Sequence, residues 1–149
     1  MIFLNVPDGT PGTTTDCGRV WTFLTPILGV MSDQAGNLEA NSSALLGAPG
    51  TSYPAAFASR GLESNDHLGT CSFGRDGYQI ISANQIRVGM NVSQPGDWIR
   101  VVTRSLTKDD CKGNGWRDLK DAAGNPLFAN QGDCVSYVAT EGRNPPKGQ

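Results

Sequence analysis

Apolar and polar positions alternate most regularly between residues 86 and 93. Ile86, Val88, Met90 and Val92 are separated by Arg87, Gly89 and Asn91, and Ser93 follows. A period of two directs one set of side chains to a buried face and predicts a strand. Gln94-Pro95-Gly96-Asp97 has Pro and Gly at turn positions, and Trp98 to Thr103 resumes an extended pattern. Together these segments predict an antiparallel hairpin in the heart of a sandwich. Upstream, the β-branched and aromatic residues of Gly18–Leu24 predict a strand that Pro26 interrupts, and Ile27–Met31 predicts another. Residues 5–16 and 32–37 carry loop and turn chemistry. Residues 40–70 show no clear period. Only Tyr53–Arg60 suggests a short helix there, and the segment reads as a binding loop or as strands without a visible pattern.

After Thr107 the pattern changes. Thr107-Lys108-Asp109-Asp110 offers an N-cap followed by acidic residues, the signature of a helix start. Between Asn130 and Val138, the apolar residues Cys134, Val135 and Val138 recur at helical spacing. Residues 142–149 are rich in Gly and Pro and predict a loose tail.

Composition narrows the function classes. The 149 residues suffice for one domain with a core, and 19 Gly with 9 Pro at 17% charged residues fit turn-rich β structure. The net charge of −2, with no long basic run, argues against nucleic-acid or anionic-membrane binding. Val20–Met31, the longest apolar segment, is too short to span a bilayer. Residues 1–7 lack a basic leader region, so the chain is expected to be a mature or trimmed form. Four cysteines, Cys17, Cys71, Cys111 and Cys134, include no C-x-x-C pair, and the single histidine, His67, does not complete a zinc set. Of three pairings we favour Cys111–Cys134 with Cys17–Cys71, which implies an oxidising compartment.

Cys111-Lys112-Gly113-Asn114-Gly115-Trp116, followed by Phe128-Ala129-Asn130-Gln131-Gly132-Asp133-Cys134-Val135-Ser136-Tyr137-Val138, resembles a small module at the ends of exported bacterial surface proteins. Its pattern is C-K-x-G-G-W, a spacer, then F-x-N-Q-G-x-C-V-S-[YF]-V. Asn114 replaces the first Gly of the pair, and the Arg117–Leu127 spacer is longer than the shortest versions. The resemblance covers about a quarter of the chain and implies export, without an activity to carry over. A disulfide over such a loop stabilises by about 3 kcal/mol. Trp116, Phe128, Val135 and Val138 are the expected core of the module.

Candidate chemistry is sparse. Asp33-Gln34-Ala35-Gly36-Asn37 and Asp121-Ala122-Ala123-Gly124-Asn125 repeat D-x-A-G-N. Their oxygens suit calcium, but the spacing does not match a twelve-residue calcium loop, and Asx-turns explain the same residues. His67 near Glu63, Asp66, Cys71 and Ser72 is the nearest approach to a nucleophile–base set, without a nucleophile elbow. Glu39, Glu63 and Asp66 are read as solvated loop acids rather than a glycosidase pair. Asn41 and Asn91 begin glycosylation tripeptides that a bacterial origin would leave unused. Trp98 is expected in the core, and Tyr53 and Tyr78 on the surface, the three forming the candidate ligand-binding set.

These readings predict a mainly β protein. An antiparallel β-sandwich, with a jelly roll as one arrangement, would span residues 1–107. A disulfide-clipped helical hairpin would span 108–145, and a flexible tail 146–149. The expected function is non-catalytic: a secreted bacterial surface or extracellular-assembly protein, structural or adhesive, that contacts its own copies, another surface protein or a glycan. A carbohydrate-binding module and a hydrolase using residues 39–72 are the alternatives. No cofactor or metal is expected.

Overall fold

A computed structural model describes residues 1–6, 12–58, 60–62, 76–93, 96–121 and 123–148. The chain divides into two compact units, Met1–Trp21 with Ile27–Val102, and Thr22–Pro26 with Thr103–Gln149.

The first unit carries two antiparallel three-stranded sheets, the layers of the expected sandwich. One is ordered β1 (Ile2–Leu4), β6 (Asp97–Thr103), β3 (Ile27–Met31); the other is β2 (Thr14–Thr22), β5 (Gln85–Val92), β4 (Gly77–Ser82). Among the described residues there are six strands, where a jelly roll has eight. The alternation of β5 is real: Ile86, Val88, Met90 and Val92 are all buried. The predicted hairpin of β5 with β6 is not formed. β5 instead turns tightly through Ala83-Asn84 against β4, with Tyr78 opposite Val88 and Ile80 opposite Ile86. β6 crosses to the other sheet, where Ile2 pairs with Ile99 and Leu4 with Asp97. The reason is the burial demand of both segments. Asp97 to Arg100 are buried at every position, a pattern suited to a central strand and not to the outer arm of a hairpin. Gly96, at φ +92°, allows the crossing, because a Cβ there would lie 2.5 Å from the Leu4 carbonyl oxygen.

Among the described residues of this unit the one long helix, α1 (Asn37–Leu46), runs into the segment without a clear period, and residues 53–58 and Arg60 are not helical. Asp33 starts α1: its Oδ2 accepts the Leu38 N–H at 2.7 Å, and its Oδ1 accepts that of Ala35 at 3.0 Å. Ser42 and Ser43 donate to the Glu39 carbonyl at 3.1 and 2.9 Å. β2 begins at Thr14, inside the expected loop, and β1 had no periodic signal at all.

In the second unit a 3-10 turn (Lys108–Cys111), a single turn α2 (Gly115–Asp118) and α3 (Gln131–Ala139) surround a cluster of Cys111, Leu127, Phe128 and Cys134. Trp116, Val135, Tyr137 and Val138 pack on it, and Phe128 meets Tyr137 edge to face at 5.4 Å. Thr107 caps the 3-10 turn in a capping box with Asp110, and Asn130 caps α3 by accepting from the Asp133 N–H at 2.9 Å. Cys111 and Cys134 are disulfide-bonded, with Cα atoms 5.7 Å apart. Residues 144–148 do not form a loose tail. The Lys147 N–H donates to Asp133 at 2.8 Å and the Gly148 N–H to the Leu127 carbonyl at 3.2 Å.

Candidate functional site

The charges that matter most in the first unit lie inside it. The helix α1 buries Glu39 (0% exposed) and turns Leu38, Leu45 and Leu46 outward. Glu39 is therefore a core carboxyl and not the solvated loop acid expected. Neither carboxyl oxygen has a hydrogen-bond partner. Burial pushes its pKa up to about 7; nearby Asp33 adds to the rise and Arg100 opposes it. Arg100, itself buried, reaches α1 from β6: its Nη2 donates to the Glu39 carbonyl at 3.1 Å and to Ser43 Oγ at 2.9 Å. The Tyr53 ring covers the Arg100 guanidinium at 5.3 Å. Gly47 makes room for that ring, and the Tyr53 hydroxyl accepts the Ala48 N–H at 2.8 Å, so the phenol is held at both ends.

Beside Tyr53 opens a cavity of about 500 Å³, lined by Phe3, Tyr53, Arg60, Asp97, Trp98 and the hydroxyl pair Thr51 and Ser52. Arg60 is placed there by a backbone lattice. Phe57 N–H donates to the Ala35 carbonyl at 3.0 Å, Gly61 N–H to that of Gln34 at 3.1 Å, and Trp98 N–H to that of Arg60 at 3.0 Å. Only glycine fits at 61, because a Cβ would fall 1.6 Å from the Asp33 carbonyl oxygen. The Arg60 guanidinium lies 5.9 Å from the Phe57 ring and 5.7 Å from the Trp98 ring. Its Nε is buried without a partner.

The sheet margins form a second feature. Among the described residues β1, β3 and β4 are edge strands, and none carries a charged residue. Each exposes a large apolar side chain: Phe3 (69%), Leu28 (66%), and Ile80 (52%) with Ile81. The fourth edge, β2, exposes Val20 and Trp21, with Asp16 and Arg19 paired at 2.8 Å. Charges, prolines and bulges that normally protect edges are nearly absent, apart from an irregularity between Ile80 and Ser82.

Of the predicted ligand-binding set, Tyr53 and Trp98 meet at the cavity, while Tyr78 sits half-buried on β4 opposite Val88. Trp98 is buried as expected. Cys17 is free and exposed on β2, and the predicted Cys17–Cys71 bridge falls outside the described residues. Cys71 lies outside the described residues, as do Glu63, Asp66, His67 and Ser72. Both D-x-A-G-N segments are Asx-turns. Asp121 Oδ1 accepts the N–H groups of Ala123 and Asn125 at 2.9 and 2.8 Å, as Asp33 does in its own turn. Among the described residues no cluster of metal-ligating side chains forms, and no helix is long and apolar enough to cross a membrane. Arg60 and Arg100 escaped the sequence reading, and Glu39 was read there only as a solvated loop acid. Arg100 had one signal, a charge in register with Trp98 and Val102 and flanked by Ile99 and Val101. No protein-family model matches the chain, and neither curated proteins nor solved structures provide a match.

Proposed function

We propose that this chain is an exported, non-catalytic subunit of a bacterial surface or extracellular assembly, built to associate with copies of itself through its strand edges. The observation that carries the reading is the row of uncharged edges, β1, β3 and β4, each with a large apolar side chain in solvent. Unpaired N–H and C=O groups on such an edge are a template for another strand, and apolar side chains gain by being covered. An edge without charge meets no repulsion from its own copy, so self-pairing is the simplest occupancy. The Cys111–Cys134 bridge suits an oxidising compartment. The resemblance of the 111–138 segment to the terminal module of exported bacterial proteins supports export.

Natively purified, non-reduced protein examined by negative-stain electron microscopy and sedimentation velocity tests the proposal. Filaments, arrays or discrete oligomers are expected, and the edge variants Leu28→Lys and Ile80→Lys should shift them to monomer. A wild type that stays a small monodisperse monomer at every concentration refutes the assembly reading.

A further inference from the structure

The cavity beside Tyr53 shares Phe3 and Leu4 with the β1 edge, but its polar groups play no part in the strand-edge argument. We propose that it binds a carboxylate-bearing sugar, a hexuronic acid unit of an acidic glycan. Its volume of about 500 Å³ falls within the range of about 300–1,000 Å³ typical of small-molecule sites. Three kinds of group converge on it, and each fits a different part of such a ligand.

The first is a cation with no ion pair among the described residues. The Arg60 guanidinium is held against the Phe57 and Trp98 rings, its Nε is buried and unpartnered, and it makes no ion pair among the described residues. A guanidinium at a cavity wall is suited to a planar carboxylate, which it engages through two parallel N–H donors. The second is aromatic surface. Tyr53 is immobilised by Gly47, by the Ala48 N–H and by Arg100 behind it, so its ring loses little freedom when a sugar packs on it. Phe3, 69% exposed on the opposite lining, adds apolar area. The third is hydroxyl-matching polarity. Thr51, Ser52 and Asn5 offer short neutral donors and acceptors at the mouth.

Asp97 also lines the cavity and is the one acid to do so among its described residues. It is buried and already engaged, so it serves as an acceptor for a sugar hydroxyl and sets where the ligand carboxylate cannot lie. A fatty or purely aromatic ligand would leave Arg60, Asp97 and the hydroxyls unmatched. A bare small anion would leave the aromatic walls empty. An acidic sugar occupies both.

The test is titration calorimetry of the full, oxidised chain with methyl glucuronide, with methyl glucoside as its neutral counterpart and acetate as the carboxylate alone. Saturable binding of the glucuronide is expected, with the glucoside and acetate each at least about tenfold weaker, the scale of one charge-assisted contact. Arg60→Gln should remove that preference for the glucuronide over the glucoside, and Arg60→Lys should restore part of it. Equal binding of glucuronide and glucoside, acetate as strong as glucuronide, or no saturation to about 10 mM would each overturn the proposal. The wild-type comparison of the three ligands decides the matter even where an Arg60 variant fails to fold. A monomeric protein that still binds glucuronide would separate this inference from the assembly reading.

Discussion

Replacing Glu39 by Gln should stabilise the protein at slightly alkaline pH and abolish part of its pH dependence. In the folded chain the Glu39 carboxyl is fully buried, and both oxygens lack partners. Its pKa stands at about 7, against an ordinary value of 4.5. A raised carboxyl pKa means that the folded state prefers the protonated form. The stability tied to that proton is therefore complete below about pH 4.5 and is lost as pH rises through 7. The interval corresponds to about 3 kcal/mol, a large part of the margin of a small domain. Arg100 does not cancel the penalty, because its donors reach the Glu39 carbonyl and Ser43 Oγ instead of the carboxylate, and Asp33 adds repulsion. Gln keeps the shape and removes the charge. Urea unfolding of both proteins at pH 5 and pH 8 reads the effect. The wild type should lose about 2.5 kcal/mol more than Glu39→Gln between the two conditions, since a little of the interval is already lost at pH 5. The difference between the two proteins also removes contributions from other groups that titrate in the window. Parallel pH dependences for the two proteins would refute the argument and show that the carboxylate finds compensation in the fold.

The remaining expectations concern other joints of the molecule. Replacing Cys111 and Cys134 together by Ala opens a loop of 23 residues and should cost about 3 kcal/mol in the chain-entropy model, read as faster amide exchange throughout α3. Asp110 accepts both Arg104 Nη1 and Nη2 at 2.7 Å and the Thr107 N–H at 2.8 Å, and these contacts hold its carboxyl well below the ordinary carboxylate range. Its contribution should be present above about pH 4 and lost on acidification; because the pair is partly solvated, Asp110→Asn should cost only about 1 kcal/mol at pH 7, measured by urea unfolding. Gly36→Ala combines a φ of +68° with a Cβ only 2.3 Å from Trp98 Nε1. It should destabilise by about 2 to 4 kcal/mol, visible as a lower melting temperature and altered tryptophan emission.

What was legible in the sequence follows from which physical signal each element leaves. β5 was readable because its inward positions are all apolar and its outward ones polar. The second unit was readable because its signals are local: an N-cap at Thr107 followed by acidic residues, and helical spacing around Cys134. The partner of β5 was not readable. A Pro-Gly turn beside two extended segments suggests a hairpin, but whether the chain folds back or crosses to another layer depends on the burial of both faces of β6, which is a tertiary demand. α1 was hidden because it inverts the usual amphipathic rule, burying Glu39 and exposing Leu38, Leu45 and Leu46. No periodicity argument finds such a helix, although the Asp33 turn that starts it was visible as a turn. The cavity was half legible. Tyr53 and Trp98 stood out by residue type, whereas Arg60 is placed by carbonyl contacts around Gly61 that leave no trace in a single sequence.

The same inversion bears on why the first unit looks unfinished as an isolated body. The charged residues divide equally between residues 1–102 and 103–149, thirteen in each, though the first segment is about twice as long. Within that first segment Glu39, Asp76, Asp97 and Arg100 are buried, so the charge left on its surface is lower still. A solitary soluble domain spends its charges on edges and exposed faces, where they deter strand pairing. Here they are drawn inward while β1, β3 and β4 remain bare. Burying a carboxyl without a partner and leaving Phe3, Leu28 and Ile80 in water both act against the stability and solubility of a lone monomer. The two costs fall in the same unit, whereas the second unit is charged, clipped and capped at its helices. That contrast supports the proposed assembly reading, in which a neighbouring copy would finish the edges of the first unit.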